Sequence, residues 1–599
     1  MTSAAGCFAL FDGDDGGAVL LSDYRRTIQF DGHVETYRDL DSTFSAIESA
    51  AIRGEWLVLA VDYGVGSCFE PALSALTGGR RRLCAWVFGQ SRSLDVEAVA
   101  VFLSMQRAGV AEHERTAGVA DVKPVLDGEI YARKIEEIRR WITAGDGYQI
   151  NLTFPIDFQL YGHPLALYAR LRERQPVRHG AFIAVPGETL MSFSPELFFE
   201  RKGTRVITRP MKGTAPRGTT LEEDEAQRVA LLASEKERAE NIMIVDLLRN
   251  DLSRLTLPGG VKVDALCATE AYPTLWQMVS TISADLPDVR LFDLFKALFP
   301  CGSITGAPKI AAMQKIDALE TEPRGLYTGA LGWVEPGGDC RFNVAIRTIE
   351  LAENGRARLG VGSGIIIDAD PQREYAECLL KARFLTGFDP GFELIETLRL
   401  EQGVFRLMTY HLERLDASAR ALGFACDLSV IAEAFAAHAL THDQGTYRVR
   451  LSVKHNGDWE IDSATLAPEV FVSPREAVIA DERLDADDYL LRHKTTARSR
   501  YDRALRGLSD RPQIFDAIFL NTRGEVCEGA RSTVFVESDG VLLTPPLSSG
   551  LLPGVMRRHL LESGRAVEYV LSREDLLNAS TLYLGNALRG LIPVRVLVD

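Results

Sequence analysis

Apolar and polar positions change period several times along the chain, and each change predicts an element. Residues 1 to about 120 mix short apolar runs, such as Trp56-Leu57-Val58-Leu59-Ala60-Val61, with Gly and Asp turns, an α+β pattern. From Tyr131 to Ala144, Ile135, Ile138, Trp141 and Ile142 recur at helical spacing, and Gly145-Asp146-Gly147 stops that helix. Tyr148-Gln149-Ile150-Asn151-Leu152-Thr153 alternates as a half-buried strand does. Strands are expected from Leu190 to Glu200, around a turn at Glu196, and from Val206 to Thr208. Arg217 to Leu255 reads as mostly helical, Asp293 to Leu298 as a shorter helix, and residues 340–351 and 357–368 as apolar strands. Gly360-Val361-Gly362-Ser363-Gly364 interrupts the last of these, but Ile365-Ile366-Ile367 continues it as strand, which excludes a dinucleotide fingerprint. Glycines there are expected to let the backbone approach a ligand.

At Gly387-Phe388-Asp389-Pro390-Gly391 the pattern breaks, and the main boundary is placed there. An α/β pattern then begins again, with a strand at Glu393 to Arg399, a helix at His411 to Leu422 and a strand region at Thr446 to Val453. The expected domains are 1–388, with a core at 125–387, and 389–599, with a smaller subdomain near 392–490 and a larger one near 491–599. No internal repeat or low-complexity segment is apparent.

Length and composition narrow the class. A chain of 599 residues exceeds one core. With 46% hydrophobic and 25% charged residues it has a globular composition. A formal charge of -16 argues against nucleic acid as the main partner. Nine cysteines without a C-x-x-C pair suggest neither a zinc site nor a disulfide framework. Met1-Thr2-Ser3-Ala4-Ala5 lacks a basic region before an apolar core, and no apolar run is long enough for a membrane span, so a cytoplasmic location is expected.

Three stretches suggest chemistry. Arg209-Pro210-Met211-Lys212-Gly213-Thr214-Ala215-Pro216-Arg217-Gly218 reads as a rigid turn around one lysine, which desolvation would make a nucleophile; an isolated turn of this kind is more often a solvated surface feature. Cys301-Gly302-Ser303-Ile304-Thr305-Gly306-Ala307-Pro308-Lys309 reads as a loop opening a helix, with Pro308 in the first turn and Ser303 or Thr305 as cap. Glu237 with Glu240, and Glu374 with Glu377, are carboxylate pairs one helical turn apart, able to share Mg²⁺. Spacing alone favours ordinary solvated helix faces with ion pairs.

Taken in order, Tyr148 to Leu152, Ser194-Pro195-Glu196, the Lys212 stretch, Glu240 to Asp251, Thr305 to Lys309 and the Glu374/Glu377 segment resemble the chorismate-utilising enzymes over about residues 125–387. The resemblance implies a large mixed α/β fold with packed antiparallel sheets and a site between them. Chorismate is a dianion whose C4 hydroxyl must leave as ammonia enters. Glu196 then matches the acid for the hydroxyl, Glu240 and Glu377 the principal Mg²⁺ ligands, and Glu374 and Glu237 positions near the metal. Arg347, Tyr327 and the Gly362-Ser363-Gly364 backbone match the substrate-carboxylate region, with Thr305 and Lys309 also in the binding motif. Gln149 stands where isochorismate-forming relatives carry a water-activating lysine, which implies ammonia as nucleophile. Lys212, where anthranilate synthases usually have alanine, points to the branch forming aminodeoxychorismate, in which this lysine adds to C2 of the ring. Gln277, in Trp276-Gln277-Met278, departs from a histidine common in relatives and linked to pyruvate elimination. No Cys-His amidotransferase module is visible, so ammonia is expected from solution or from a separate glutamine amidotransferase.

After the boundary, His411 to Leu415, His493-Lys494-Thr495-Thr496, Glu528 to Phe535 and Thr544 to Arg557 resemble the fold-type IV pyridoxal phosphate enzymes over about residues 392–598. The resemblance implies Lys494 as the lysine that joins the cofactor, Glu528 as partner of its ring nitrogen, and Arg414 with the Val555 and Met556 backbone as phosphate holders, with Asn586 a further candidate. Homodimerisation through this part is also implied. Family members begin with an additional strand pair; here the short junction leaves little room for it, and the first domain is expected to cover the edge. The two halves together imply amination of chorismate, then release of pyruvate to give 4-aminobenzoate for folate synthesis. An anthranilate-type synthase fused to a true aminotransferase, or a non-catalytic second half, remain the alternatives at this point.

Overall fold

The computed structural model describes residues 6–32, 36–73, 76, 80–272, 275–467 and 474–597; the Met1–Ala5 opening lies outside them. The chain divides into two compact units. One comprises residues 1–107, 123–159 and 168–386, and the other 108–122, 160–167 and 387–599.

Among the described residues, eighteen strands before Thr386 form a connected network whose named pairings are antiparallel. Gln149–Tyr161 pairs along its length with Arg356–Ile365, from Gln159 opposite Arg356 to Ile150 opposite Ile365. The alternation at its start does not mark a half-solvated strand, because every residue from Gln149 to Phe154 is buried. Its polar alternates face protein groups instead. Asn151 Nδ2 donates to the Ser303 carbonyl at 3.2 Å, and Thr153 Oγ1 donates to Glu320 at 2.9 Å. The glycine-rich strand ends at Ile365, so Ile366 and Ile367 lie beyond it.

The stretch expected to be helical from Arg217 is two helices, Leu221–Ala233 and Glu235–Ser253. Ser234 breaks them by adopting an extended conformation, and its side chain accepts from Glu237 N at 3.3 Å. Glu237 therefore sits in a capped first turn, where the helix dipole favours a carboxylate. The 301–309 loop forms a short helical turn, Gly302–Ile304, then the two-residue strand Gly306–Ala307 opposite Ile150 and Gln149, then the helix Lys309–Leu319. Pro308 takes the cap position and no side chain caps it, because the Ser303 and Thr305 hydroxyls are used elsewhere. The principal core beneath these elements is aromatic: Phe198, Phe199, Phe295, Phe299 and Phe342 pack with ring centroids 4.9–6.1 Å apart.

The second unit contains a four-stranded sheet within residues 394–465 and an eight-stranded sheet within 475–596. Arg475–Leu484, expected in the smaller subdomain, belongs to the larger sheet, because it pairs in parallel with Ile514–Asn521 and Gly590–Val596. Ala120 and Tyr161 join the apolar cluster of Phe392, Leu394 and Leu398 in this unit. Tyr161 stacks on Tyr489, whose hydroxyl donates to Asp121 at 2.7 Å. No helix among the described residues is long and apolar enough to cross a membrane.

Candidate active sites

Glu196 lies between the strands Glu188–Ser194 and Leu197–Lys202 and is buried. Burial lifts its carboxyl to about 6, while the Ser303 hydroxyl, the Lys212 ammonium and the Met211 amide pull the other way. Ser303 Oγ donates to Glu196 Oε1 at 2.7 Å. A carboxyl so placed keeps its proton toward neutral pH and can deliver it to a leaving oxygen.

Lys212 is not in a turn. Met211–Pro216 is a strand paired with Leu275–Asp285, and its register shifts between Met211, opposite Val279, and Thr214, opposite Gln277. Lys212 and Gly213 therefore oppose one residue, Met278, in a bulge, and Gly213 takes φ +87° there. The Lys212 ammonium lies within electrostatic reach of both Glu196 and Glu237.

The helices Glu235–Ser253 and Pro371–Thr386 present the two carboxylate pairs. Burial raises Glu237, and the Glu240 and Glu377 charges raise it further; burial and Glu377 likewise raise Glu374, against a hydrogen bond from Ser363. Glu240 approaches Lys236 at 4.0 Å, and Glu377 pairs with Lys381 at 2.8 Å. The described residues hold no group of three or more His, Cys, Asp or Glu drawn together to bind a metal on their own. Mutually repelling oxygen donors from two helices nonetheless suit Mg²⁺, which needs one or two protein carboxylates and takes its other ligands from water and substrate.

Arg347 lies between the strands Cys340–Val344 and Thr348–Leu351 with φ +50°, a strained conformation for a residue with a side chain. Burial lowers its pKa, and its guanidinium has no acidic partner among the described residues. Arg356–Ile365 pairs with Thr348–Leu351 only through Leu359. Beyond that point its second edge has no strand neighbour among the described residues, which leaves alternate N–H groups of the Gly362-Ser363-Gly364 segment for an anion. The glycines themselves admit the protein's own side chains. A Cβ on Gly360 would lie 2.0 Å from the Tyr327 ring, on Gly362 2.6 Å from Thr153, and on Gly364 2.3 Å from Gln149 Nε2. Gln149 is buried, with Nε2 donating to Asn151 at 3.2 Å and Oε1 without a partner.

Two expected binding residues are committed elsewhere. Lys309 Nζ contacts Asp251 at 2.5 Å and donates to the Leu298 carbonyl at 3.1 Å. Thr305 Oγ1 donates to the Cys301 and Gly302 carbonyls at 3.3 Å. Both hold the loop. Lys381, passed over in the sequence, does face the site: its Nζ donates to the Gly362 carbonyl at 2.8 Å while pairing with Glu377. Its position one turn after Glu377 was the available signal.

In the second unit, the carbonyl of Lys494 accepts from Ile395 N at 2.9 Å, which fixes the lysine against the strand Leu394–Glu401. Burial, with the Arg414 and Arg498 cations, lowers Lys494 to about 8. Burial raises Glu528 to about 7, although the Tyr501 hydroxyl donates to it at 2.6 Å and Leu552 N at 3.1 Å. Arg414 is held in a fork by Glu396, with Nε and Nη2 at 2.8 and 2.6 Å, and its Nη1 donates to the Pro553 carbonyl at 3.3 Å. Burial opposes charge on Glu396, but Arg414 and His411 outweigh it and hold the carboxyl at about 2. Glu396 was not singled out from sequence; an acid within the apolar run after Phe392 was its signal.

Val555 and Met556 open the helix Val555–Glu562 after Gly554 without a side-chain cap, so their amides can meet an anion. Asn586 Nδ2 donates to the Arg531 carbonyl and its Oδ1 accepts from Arg589 N in the turn before Gly590–Val596, which leaves one Nδ2 hydrogen for an anion. A depressed lysine near a buried carboxylate, an arginine fork and open helix amides fit pyridoxal phosphate chemically.

Residues 34–387 match the family model of chorismate binding enzymes, and residues 393–597 match that of class IV amino-transferases. Aminodeoxychorismate synthase component 1 of Bacillus subtilis (strain 168) is 42% identical over 268 residues, covering 45% of this chain and 56% of the relative. Its Salmonella typhimurium counterpart is 39% identical over 248 residues, 41% of this chain and 54% of the relative. The chain thus spans about half the length of these curated relatives. Among solved structures, anthranilate synthase component I of Streptococcus pneumoniae TIGR4 aligns with TM-score 0.51 and 25% identity, over 64% of this chain and 93% of that one.

Proposed function

Because the chain belongs to the chorismate binding enzyme family, we propose that its first unit aminates chorismate with ammonia to 4-amino-4-deoxychorismate. The observation that carries this reading is Lys212, raised on a bulge beside the buried acid Glu196. The Lys212 amine bonds to C2, both ring double bonds shift, and the C4–O bond breaks. Glu196 gives its proton to the departing hydroxyl, which leaves as water. Ammonia then bonds to C4, the double bonds shift back, and the C2–N bond breaks to release Lys212. The proton shed by the new ammonium returns to the Glu196 carboxylate. Arg347 and the Gly362–Gly364 amides orient a substrate carboxylate, with Lys381 beside them. The buried Gln149 carbonyl offers an acceptor to the entering ammonia. Mg²⁺, for which Glu240 and Glu377 would be the principal ligands with Glu237 and Glu374 near it, would neutralise substrate charge when bound.

The second unit acts on that product, expelling pyruvate to leave 4-aminobenzoate. Pyridoxal phosphate supplies an electron sink when bound. Lys494 would join it and move the proton, Glu528 would pair with its ring nitrogen, and Arg414 with the Val555 and Met556 amides would hold its phosphate. Ammonia is supplied from solution or by a separate glutamine amidotransferase, a second chain completes a homodimer through this unit, and the work is cytoplasmic, toward folate. The deciding experiment incubates purified protein with chorismate, Mg²⁺ and ammonium and identifies the products. 4-Aminobenzoate supports the reading; anthranilate overturns it, and 4-amino-4-deoxychorismate alone leaves only its first half.

A further inference from the structure

The bulge that carries Lys212 lacks the ladder bonds that a regular strand would give it. Two residues oppose one, and Gly213 is turned to φ +87°. What replaces the missing ladder is a single side chain on the facing strand. Gln277 Nε2 donates to the Gly213 carbonyl at 2.8 Å, and Gln277 Oε1 accepts from Thr214 Oγ1 at 3.1 Å. One carboxamide thus grips the bulge on its donor and its acceptor sides. Among the substitutions that test this, charged glutamate lacks the donor, leucine lacks both groups, and methionine keeps only a weak thioether acceptor.

The grip matters because the bulge is crowded. A Cβ on Gly213 would lie 3.1 Å from Glu237 Oε2 and 3.3 Å from Leu231. A side chain there would have to displace Glu237 or Leu231, so the close approach and the positive φ both require glycine at the bulge. Lys212, next in the chain, reaches both Glu196 and Glu237 from this one backbone setting. We infer that Gln277 is a positioning residue whose carboxamide sets the reach of Lys212 by holding the Gly213 carbonyl and the Thr214 hydroxyl together. The inference rests on the reading of Lys212 as the nucleophile. It also gives Gln277 a task of its own.

The test compares Gln277→Leu, Gln277→Met and Gln277→Glu with the native protein and with Lys212→Ala, all as the full chain. Loss of the clamp misplaces the amine, so the first two variants should lower kcat for amination about 10- to 100-fold while KM for chorismate changes little. Acetylation by acetic anhydride, read by peptide mass spectrometry, should change in rate at Lys212 but not at the exposed Lys202. Gln277→Glu adds a signature that mere packing does not predict. Its carboxyl regains a donor for the Gly213 carbonyl when protonated, so its kcat relative to the native protein should rise toward acid pH. Native kcat in Gln277→Leu and Gln277→Met with unchanged Lys212 labelling, or an equal labelling change at Lys202, overturns the positioning role. If Lys212→Ala aminates chorismate at the native rate, the reading of Lys212 itself fails, whatever Gln277 does.

Discussion

Ser303 donates its hydroxyl to Glu196 at 2.7 Å across 107 residues of sequence, joining the loop before the Lys309–Leu319 helix to the acid between two strands. The bond favours the charged carboxylate, yet burial prevails and Glu196 stays at about 6. Glu196 must hold its proton to protonate a leaving hydroxyl, so kcat/KM for amination should fall as pH rises through about 6. Ser303→Ala removes a donor to the charged form and should move this limb to higher pH. Glu196→Gln should cost about 10²- to 10⁴-fold. Initial rates from pH 5 to 9 check both, and a limb unmoved by Ser303→Ala would count against Glu196 as its source.

The same raised value links Glu196 to stability. Its folded value exceeds the ordinary 4.5, so its contribution is fully present below 4.5 and is lost as pH rises through about 6. Urea titrations of the native protein and Glu196→Gln should converge at low pH and separate above 6, with the variant more stable there by about 2 kcal/mol.

Lys212→Ala should abolish amination with ammonium while leaving the fold intact, because the side chain is half-buried on a bulge rather than packed in the core. Product analysis with circular dichroism as the fold control checks this. Native turnover would remove the covalent role.

Chelation of Mg²⁺, or Glu240→Gln or Glu377→Gln, should stop amination and spare the visible absorbance of cofactor bound in the second unit. Glu237 and Glu374 are both raised by neighbouring carboxylates, so the substitutions should relieve repulsion and leave the melting temperature unchanged or higher. A parallel loss of both signals would point to unfolding instead.

Lys494→Ala should lose the absorbance of bound pyridoxal phosphate and accumulate the amino intermediate, with chorismate consumption largely intact. Formation of 4-aminobenzoate at the native rate would exclude Lys494 as the cofactor lysine. Glu396→Ala should act differently, leaving the Arg414 and His411 groups buried without their acid and costing about 3–5 kcal/mol of stability, read by thermal or urea unfolding.

Much of this protein was legible in the order of its residues. Helical spacing put Glu237 with Glu240 and Glu374 with Glu377 on shared faces, because 3.6 residues per turn is a local property of the backbone. Alternation marked the strand at Gln149, and the Pro and Gly cluster at 387–391 marked a break where few local interactions hold the chain. Local pattern could not say what lies opposite. It could not show that the Lys212 stretch is a bulged strand, since a bulge exists only against the register of Leu275–Asp285. Nor could it show that Lys309 is taken by Asp251, 58 residues away, while Lys381 reaches the Gly362 carbonyl at the site. The alternation of Gln149, Asn151 and Thr153 suggested a wet face, yet tertiary packing turned that face onto Ser303 and Glu320. Segments 108–122 and 160–167 join a unit that otherwise begins at Gly387. Sequence determined which groups are present and which neighbours share a face. Long-range pairing decided which charges are spent on each other and which remain for a ligand, because a buried ion pair or hydrogen bond is settled by whatever group comes opposite, however distant in the chain.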